Sequence, residues 1–297
     1  MQVRFAFVAL GLTVPALVVA AVQAPASALT TQQLGIVDQN VHRDPSALAS
    51  AVDKAETEGA QVILLQEVCK SHLDSLIGTN GATKGWTVAF KQDQTNCPGT
   101  ENGGVAAIWT GGTTGSKTTM TFSADTQYVY ETDPDPTDAY TSTATGMACV
   151  LFQSEYRACS VHIVINGGYE KQRAQVAEIE PWMQNPAQNR YWISTDKRII
   201  LGGDFNMTPD RPAMDKIYKN PTSSSVGYFH EAYRTQQPAG SVNVCRCGSA
   251  TANDATVKFD YVFISSNVFS NTAQSSLSLS TNASDHKLLY AASSINF

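Results

Sequence analysis

The chain has 297 residues, of which 42% are hydrophobic and 15% charged, with a formal net charge of −6. That apolar content excludes a mainly disordered or collagen-like chain, and the length suffices for one large domain. The acidic balance argues against a protein that grips nucleic acid through a broad basic surface, though not against an enzyme whose local site a metal makes positive.

Arg4 precedes an apolar run from Phe5 to Val22, broken by Pro15, and Ala26 and Ala28 fit the small-x-small pattern of a signal-peptidase site. Residues 1–28 therefore read as a cleaved secretory signal and residues 29–297 as a single exported domain. Arg4 is the only charge in the removed piece, so the remainder carries −7. No later stretch is long and apolar enough to span a bilayer. Leu34–Val41 is the first expected strand. Asp44-Pro45 supplies an N-cap with proline at the first helical position, and Leu48, Val52 and Ala55 follow at helical spacing until Gly59. Gln61–Leu65 reads as a buried strand and Ser71–Ile77 as a short helix. Trp86–Phe90, Val105–Trp109, Lys117–Phe122 and Gln127–Tyr130 read as strands separated by Gly, Thr and Ser, with Asp133–Asp138 a turn-rich loop. Met147–Phe152 and Arg157–Val164 form a hairpin, and Glu170–Glu180 a helix that Pro181 is expected to end. Lys197–Leu201 is a further strand, Thr208–Tyr218 a helix, and Val257–Ile264, Ser275–Leu279 and Lys287–Ala292 are late strands. One domain of mixed α/β type with two packed sheets fits this order.

Export permits disulfides, and six cysteines allow many pairings among which sequence does not choose. The expected set is Cys69–Cys97, Cys149–Cys159 and Cys245–Cys247, the middle pair flanking the hairpin. No cysteine cluster has zinc spacing.

Short polar groups stand at the ends of apolar strands: Asn40, Gln66-Glu67, His162, Asp204-Phe205-Asn206 and Asp285-His286. Asp260 sits among core residues in Phe259-Asp260-Tyr261-Val262-Phe263. A buried carboxylate is costly unless paired or metal-bound. Each group alone has an ordinary explanation: Asp204 shaping a turn after two glycines, Asn206 capping a helix, His162 a satisfied core histidine. Their combination is less easily dismissed.

In order, Leu65-Gln66-Glu67-Val68, Leu201-Gly202-Gly203-Asp204-Phe205-Asn206, Phe259-Asp260-Tyr261-Val262-Phe263 and Ser284-Asp285-His286 resemble the endonuclease/exonuclease/phosphatase family, the metal-dependent phosphoesterases typified by DNase I. The resemblance runs from Asn40 to His286. It implies a four-layer α/β/β/α sandwich: two mixed, mainly antiparallel sheets with helices on the outer faces and a site at one edge. It implies that Glu67, with Asn40 and Asp285, holds Mg²⁺ or Mn²⁺, hard cations suited to oxygen ligands. Asp204 and Asn206 would position or deprotonate the attacking water, and Asp260 would orient His286. His162 would bind the phosphate or protonate the leaving oxygen, oriented by Glu101. The implied activity is in-line hydrolysis of a phosphodiester, with nucleic acid the expected substrate and neither a protein partner nor an oligomer indicated. Cys69 stands where DNase I carries a minor-groove arginine, so the duplex grip of that enzyme is not expected here. A sphingomyelinase or small-phosphoester hydrolase, and an inactive binding protein of the same fold, are the alternatives.

Overall fold

The computed structural model describes residues 31–100, 102–112, 116–122, 145–152, 156–165, 168–184, 198–219, 227–232, 246, 248–252, 256–265 and 276–296. The expected signal segment, the Gln127–Tyr130 strand, the Asp133–Asp138 loop, Glu101, Cys245 and Cys247 lie outside the described residues. In chain order the elements are β1 (Thr31–Asn40), α1 (Pro45–Glu58), β2 (Val62–Cys69), α2 (Lys70–Ile77), β3 (Thr87–Asn96), β4 (Asn102–Trp109), β5 (Ser116–Thr121), β6 (Gly146–Phe152), β7 (Tyr156–His162), α3 (Gly168–Gln184), β8 (Arg198–Asp204), β9 (Phe229–Glu231), β10 (Asp260–Ser265), β11 (Ser276–Ser280) and β12 (Leu288–Asn296).

Two six-stranded sheets result, ordered β11-β12-β1-β2-β4-β3 and β5-β6-β7-β8-β10-β9. Each has one parallel pair at its centre, β1 with β2 and β7 with β8, and its other pairs are antiparallel. The parallel pairs need crossovers, which α1 and α3 supply. Strand alternation sorts the apolar residues into three cores. Leu34, Ile36, Leu64 and Ala107 meet Val150, Ala158, Ile200 and Val262 between the sheets. Val37, Ile63 and Ile108 face outward onto Leu48, Val52 and Ala55 of α1 and Leu73 of α2. Cys159, Val161 and Leu201 face outward onto Val176, Ile179 and Met183 of α3. This is the expected four-layer α/β/β/α sandwich.

Asp44 caps α1 as its sequence predicts, its Oδ1 accepting from the amides of Ser46 at 2.6 Å and Ala47 at 3.0 Å, and Gly59 closes the helix at φ 64°. Two other expectations fail. Pro181 does not end α3, which continues to Gln184; burial of Ile179 and Met183 in the outer core carries the last turn past the missing amide. Thr208–Tyr218 yields only a 3₁₀ turn at Pro212–Lys216, because the ring of Pro212 forces Arg211 before it out of the helical region, to φ −65° and ψ 134°, so the turn cannot begin until Pro212. The disulfides Cys69–Cys97 and Cys149–Cys159 are both formed.

Candidate active site

The two parallel pairs place Asn40, Glu67, His162 and Asp204 at or near the carboxyl ends of β1, β2, β7 and β8. His162 and Asp204 are partners in the β7–β8 register, and Asp204 faces Asp260 across β8–β10. Asp285 and His286 precede β12, which runs antiparallel to β1, so they fall at the same end. The sequence thus delivers its chemistry to one edge of both sheets.

Glu67 is presented by a bulge. Leu65 pairs with Ala106 but Val68 pairs with Gly104, so Gln66 and Glu67 oppose Val105 alone. Glu67 takes φ 51° and Asn206, in the turn after β8, φ 48°. Left-handed backbone at non-glycine residues costs about 1–3 kcal/mol each and clusters at functional sites. The Asn206 turn is fixed by its own amide donating to Asp204 Oδ1 at 2.8 Å and by its side-chain Nδ2 donating to the Ile163 carbonyl at 2.8 Å. Gln172 of α3 donates to the carbonyls of both Val164 and Asn206 at 3.1 Å, tying the loops after β7 and β8 together.

Most of the principal contacts straddle the gap between the sheets. Asn40 Nδ2 donates to Glu67 Oε1 and to Asp204 Oδ2, both at 3.1 Å. His286 Nδ1 lies 2.9 and 3.1 Å from the two Asp260 oxygens, and its Nε2 lies 3.7 Å from Asp204 Oδ2. His162 Nε2 lies 4.0 Å from Glu67 Oε1 and its Nδ1 3.4 Å from Asp93 Oδ2. Beneath them Gln66 Nε2 donates to Asp38 Oδ1 and Ser160 Oγ, each at 3.0 Å. Asp38 is fully buried; burial, then the charge of Asp260, pushes its carboxyl well above the usual range, towards the neutral acid.

Asp93 was not legible as a site residue. It is buried at the polar end of β3 and partners His162, the role expected of Glu101. Asn40, expected as a metal ligand, turns its amide nitrogen toward Glu67 and Asp204, while its oxygen accepts from the His42 amide at 3.0 Å. It therefore acts here as a hydrogen-bond bridge between carboxylates. Sequence reading also passed over His42 and Arg43: His42 Nδ1 meets Asp285 Oδ1 at 2.8 Å, and Arg43 Nε lies 3.7 Å from Glu67 Oε2.

The electrostatics divide the groups into roles. Burial disfavours the His286 imidazolium, but the charge and hydrogen bond of Asp260, then the charges of Asp204 and Asp285, push its pKa up to about 10. Burial likewise opposes the His162 cation, and the hydrogen bond and charge of Asp93, with Asp204 and Glu67, raise it to about 9. Asp204 is raised to about 6 by burial and by Asp260, against the lowering influence of His286, His162 and the Asn206 amide. Near neutrality two cationic imidazoles thus flank a carboxylate that is largely ionised yet basic enough to accept a proton.

The donor set fits a hard divalent cation. Glu67 and Asp204 share a single Asn40 donor, and Asp285 stands at the mouth with its side chain half exposed. Such accumulated carboxylate charge is what an oxygen-ligated ion neutralises. Asp204, Asp260 and His286 also bring ligand atoms within 4.8 Å of one another. There, however, His286 Nδ1 and Asp260 already satisfy each other.

Among known proteins, the model of the Endonuclease/Exonuclease/phosphatase family matches residues 38–286. None of the curated protein sequences compared with the chain matches it. Among solved structures, the human Nocturnin catalytic domain with bound sulfate superposes with a TM-score of 0.61 at 15% identity, covering 91% of this chain and 97% of that one. ANGEL2, a 2′,3′-cyclic phosphatase, in complex with adenosine-2′,3′-vanadate gives 0.56 at 15%, covering 90% and 97%. D. rerio TDP2 with a single-strand DNA product gives 0.53 at 12%, covering 88% and 98%. These identities speak for the fold alone. The family model, in contrast, spans the whole constellation from Asp38 to His286, and the chain belongs to the Endonuclease/Exonuclease/phosphatase family.

Proposed function

We propose that this protein is an exported, divalent-metal-dependent phosphodiesterase, and that its substrate is nucleic acid. The observation that carries the reading is the convergence of Glu67, Asp204, His162 and the Asp260–His286 pair at one edge, where Asn40–Asp204, His162–Glu67, His286–Asp204 and His286–Asp260 each join one sheet to the other. Such a set is assembled only by the complete fold and has no economical explanation as packing. Family membership and the nucleotide or DNA ligands named for ANGEL2 and TDP2 support the chemistry. The two disulfides support export.

Glu67 and Asp285 would hold Mg²⁺ or Mn²⁺, which when bound neutralises phosphate oxygens and the charge that grows on them in the transition state. Asp204, with a pKa near 6, is the general base that takes the proton of the attacking water, and Asn206 orients that water. His286, held protonated by Asp260, sits too high to be a base at neutral pH and instead stabilises negative charge on Asp204 and on the phosphoryl group. His162, protonated up to about pH 9 through Asp93, is the acid for the leaving oxygen. Water attacks phosphorus in line, and no covalent intermediate with the protein forms.

The test is a parallel assay with Mg²⁺ on plasmid DNA, RNA, sphingomyelin and inositol phosphates, with a chelator control. Nucleic-acid cleavage that the chelator abolishes and that His162→Ala lowers by about 10²-fold or more is expected. Turnover of lipid alone would reject the substrate assignment, and full activity in His162→Ala would reject the role of that residue.

A further inference from the structure

The turn joining β1 to α1 carries an unusual pair. His42 and Arg43 adopt φ 47° and 62°, two consecutive left-handed residues where glycine or asparagine would be the easy choice. The turn is anchored on every side: the His42 amide donates to Asn40 Oδ1, the Arg43 amide donates to the Glu67 carbonyl at 2.9 Å, the Asp44 amide donates to Val41 O, and Asp44 caps α1. The chain accepts this backbone and places two nitrogen-rich side chains beside Glu67 and Asp285. Arg43 Nη2 lies 2.8 Å from His42 Nε2, and His42 Nδ1 reaches Asp285. Arg43 is the only Lys or Arg among the described residues that pairs with Glu67, Asp204 or Asp285. Its Nε stands 3.7 Å from Glu67, beyond hydrogen-bond range, and the side chain is 36% exposed, so donors of the guanidinium remain for a ligand.

We infer that Arg43, aligned by His42, is a substrate-binding residue that grips a phosphodiester oxygen at the mouth of the site. A polyanion approaching this edge meets clustered carboxylates on an acidic protein, and a fixed guanidinium is the group whose planar fork matches phosphate geometry. The inference rests on the phosphodiesterase reading. It adds that affinity is supplied by this local cation, where a broad basic surface is lacking.

The decisive variant is Arg43→Gly, because glycine suits φ 62° and relieves the backbone while removing the cation. Phosphate affinity is read by titrating inorganic phosphate into the Mg²⁺-loaded protein with calorimetry, alongside kcat and KM on the nucleic-acid substrate, Mg²⁺ affinity and melting temperature. Arg43→Gly should weaken phosphate binding and raise KM by about tenfold, equivalent to 1.4 kcal/mol. The same variant should leave kcat within about threefold and melt no lower than wild type, with Mg²⁺ bound at least as tightly. Arg43→Lys should recover part of the loss. Unchanged phosphate binding and KM in Arg43→Gly would overturn the assignment. So would a loss of Mg²⁺ affinity in step with KM, which would make Arg43 a support for Glu67. Should the wild type cleave no phosphodiester, the functional reading fails, while the phosphate titration still decides whether Arg43 binds the anion.

Discussion

Replacing Asp260 with asparagine removes one charge and keeps the shape of the side chain. Asp260 is fully buried, with both oxygens within 3.1 Å of His286 Nδ1. Its charge and hydrogen bond are the largest influences opposing burial of the imidazolium, which moves from 6.5 to about 10. A rise of that size is on the order of 5 kcal/mol of preference for the charged ring. Without Asp260, burial acts against Asp204 and Asp285 alone, and the His286 pKa should fall by several units. Because the folded-state pKa is raised, the pair contributes stability that is fully present below pH 6.5 and is lost as pH climbs through about 10. Asp260→Asn should therefore lose most of its stability advantage at pH 6 while differing little from wild type above pH 10. The pKa is read by a histidine-selective NMR titration of the chelator-treated protein, and the stability by urea unfolding at several pH values. At Asp204 the change removes the main charge raising its pKa, Asp260, and with a neutral His286 also the main charge lowering it, so the two effects oppose each other. Loss of the His286 cation from beside Asp204 and the phosphoryl group predicts a kcat loss of about 10²–10⁴. A His286 that still titrates near 10 in the variant would refute the argument, because the source of the shift would then lie elsewhere.

Four further outcomes follow from the same geometry. Asp93→Asn should bring the His162 pKa down from about 9, so that kcat falls away at a lower alkaline pH than in wild type and recovers as pH is reduced; parallel pH–rate profiles check this. Glu67→Gln should weaken Mg²⁺ binding by at least about a hundredfold in calorimetry while circular dichroism stays unchanged. Gly203→Ala would place a Cβ 1.9 Å from the Val161 carbonyl at φ 141°; a fall in melting temperature of roughly 5 °C or more is expected. Replacing Cys69 and Cys97 by serine opens a crosslink across 28 residues, worth about 3–4 kcal/mol on the chain-entropy account, read as a lower denaturant midpoint.

The sandwich was legible because its strands announce themselves. Buried runs such as Val62–Leu65 and Ile199–Leu201 need only a polar residue at their ends to mark where chemistry collects. Asp93 escaped for the converse reason. The tail of β3, Lys91–Asn96, is polar throughout and reads as loop, although strand pairing with β4 extends through it and buries the acid. His42 and Arg43 escaped because no propensity predicts left-handed backbone at such residues; the turn is held by bonds to Asn40 Oδ1 and Val41 O and by the tertiary bond from the Arg43 amide to Glu67 O. Pro181 and the Thr208–Tyr218 stretch show the opposite balance, core burial overriding a breaker in one and two prolines overriding a helical pattern in the other.

The way the pairs cross between the sheets bears on when this molecule becomes competent. Asn40, Glu67 and Asp93 ride on one layer, His162, Asp204 and Asp260 on the other, and His286 must reach over to its acid. One layer needs β11 and β12 from the end of the chain, so before synthesis is finished no dyad is whole and none of the tuned acidities exists. Competence therefore arrives in a single stroke, with the final docking of two halves. Any lesion that lets them slide by even a side chain's width should silence the protein well before its secondary structure melts.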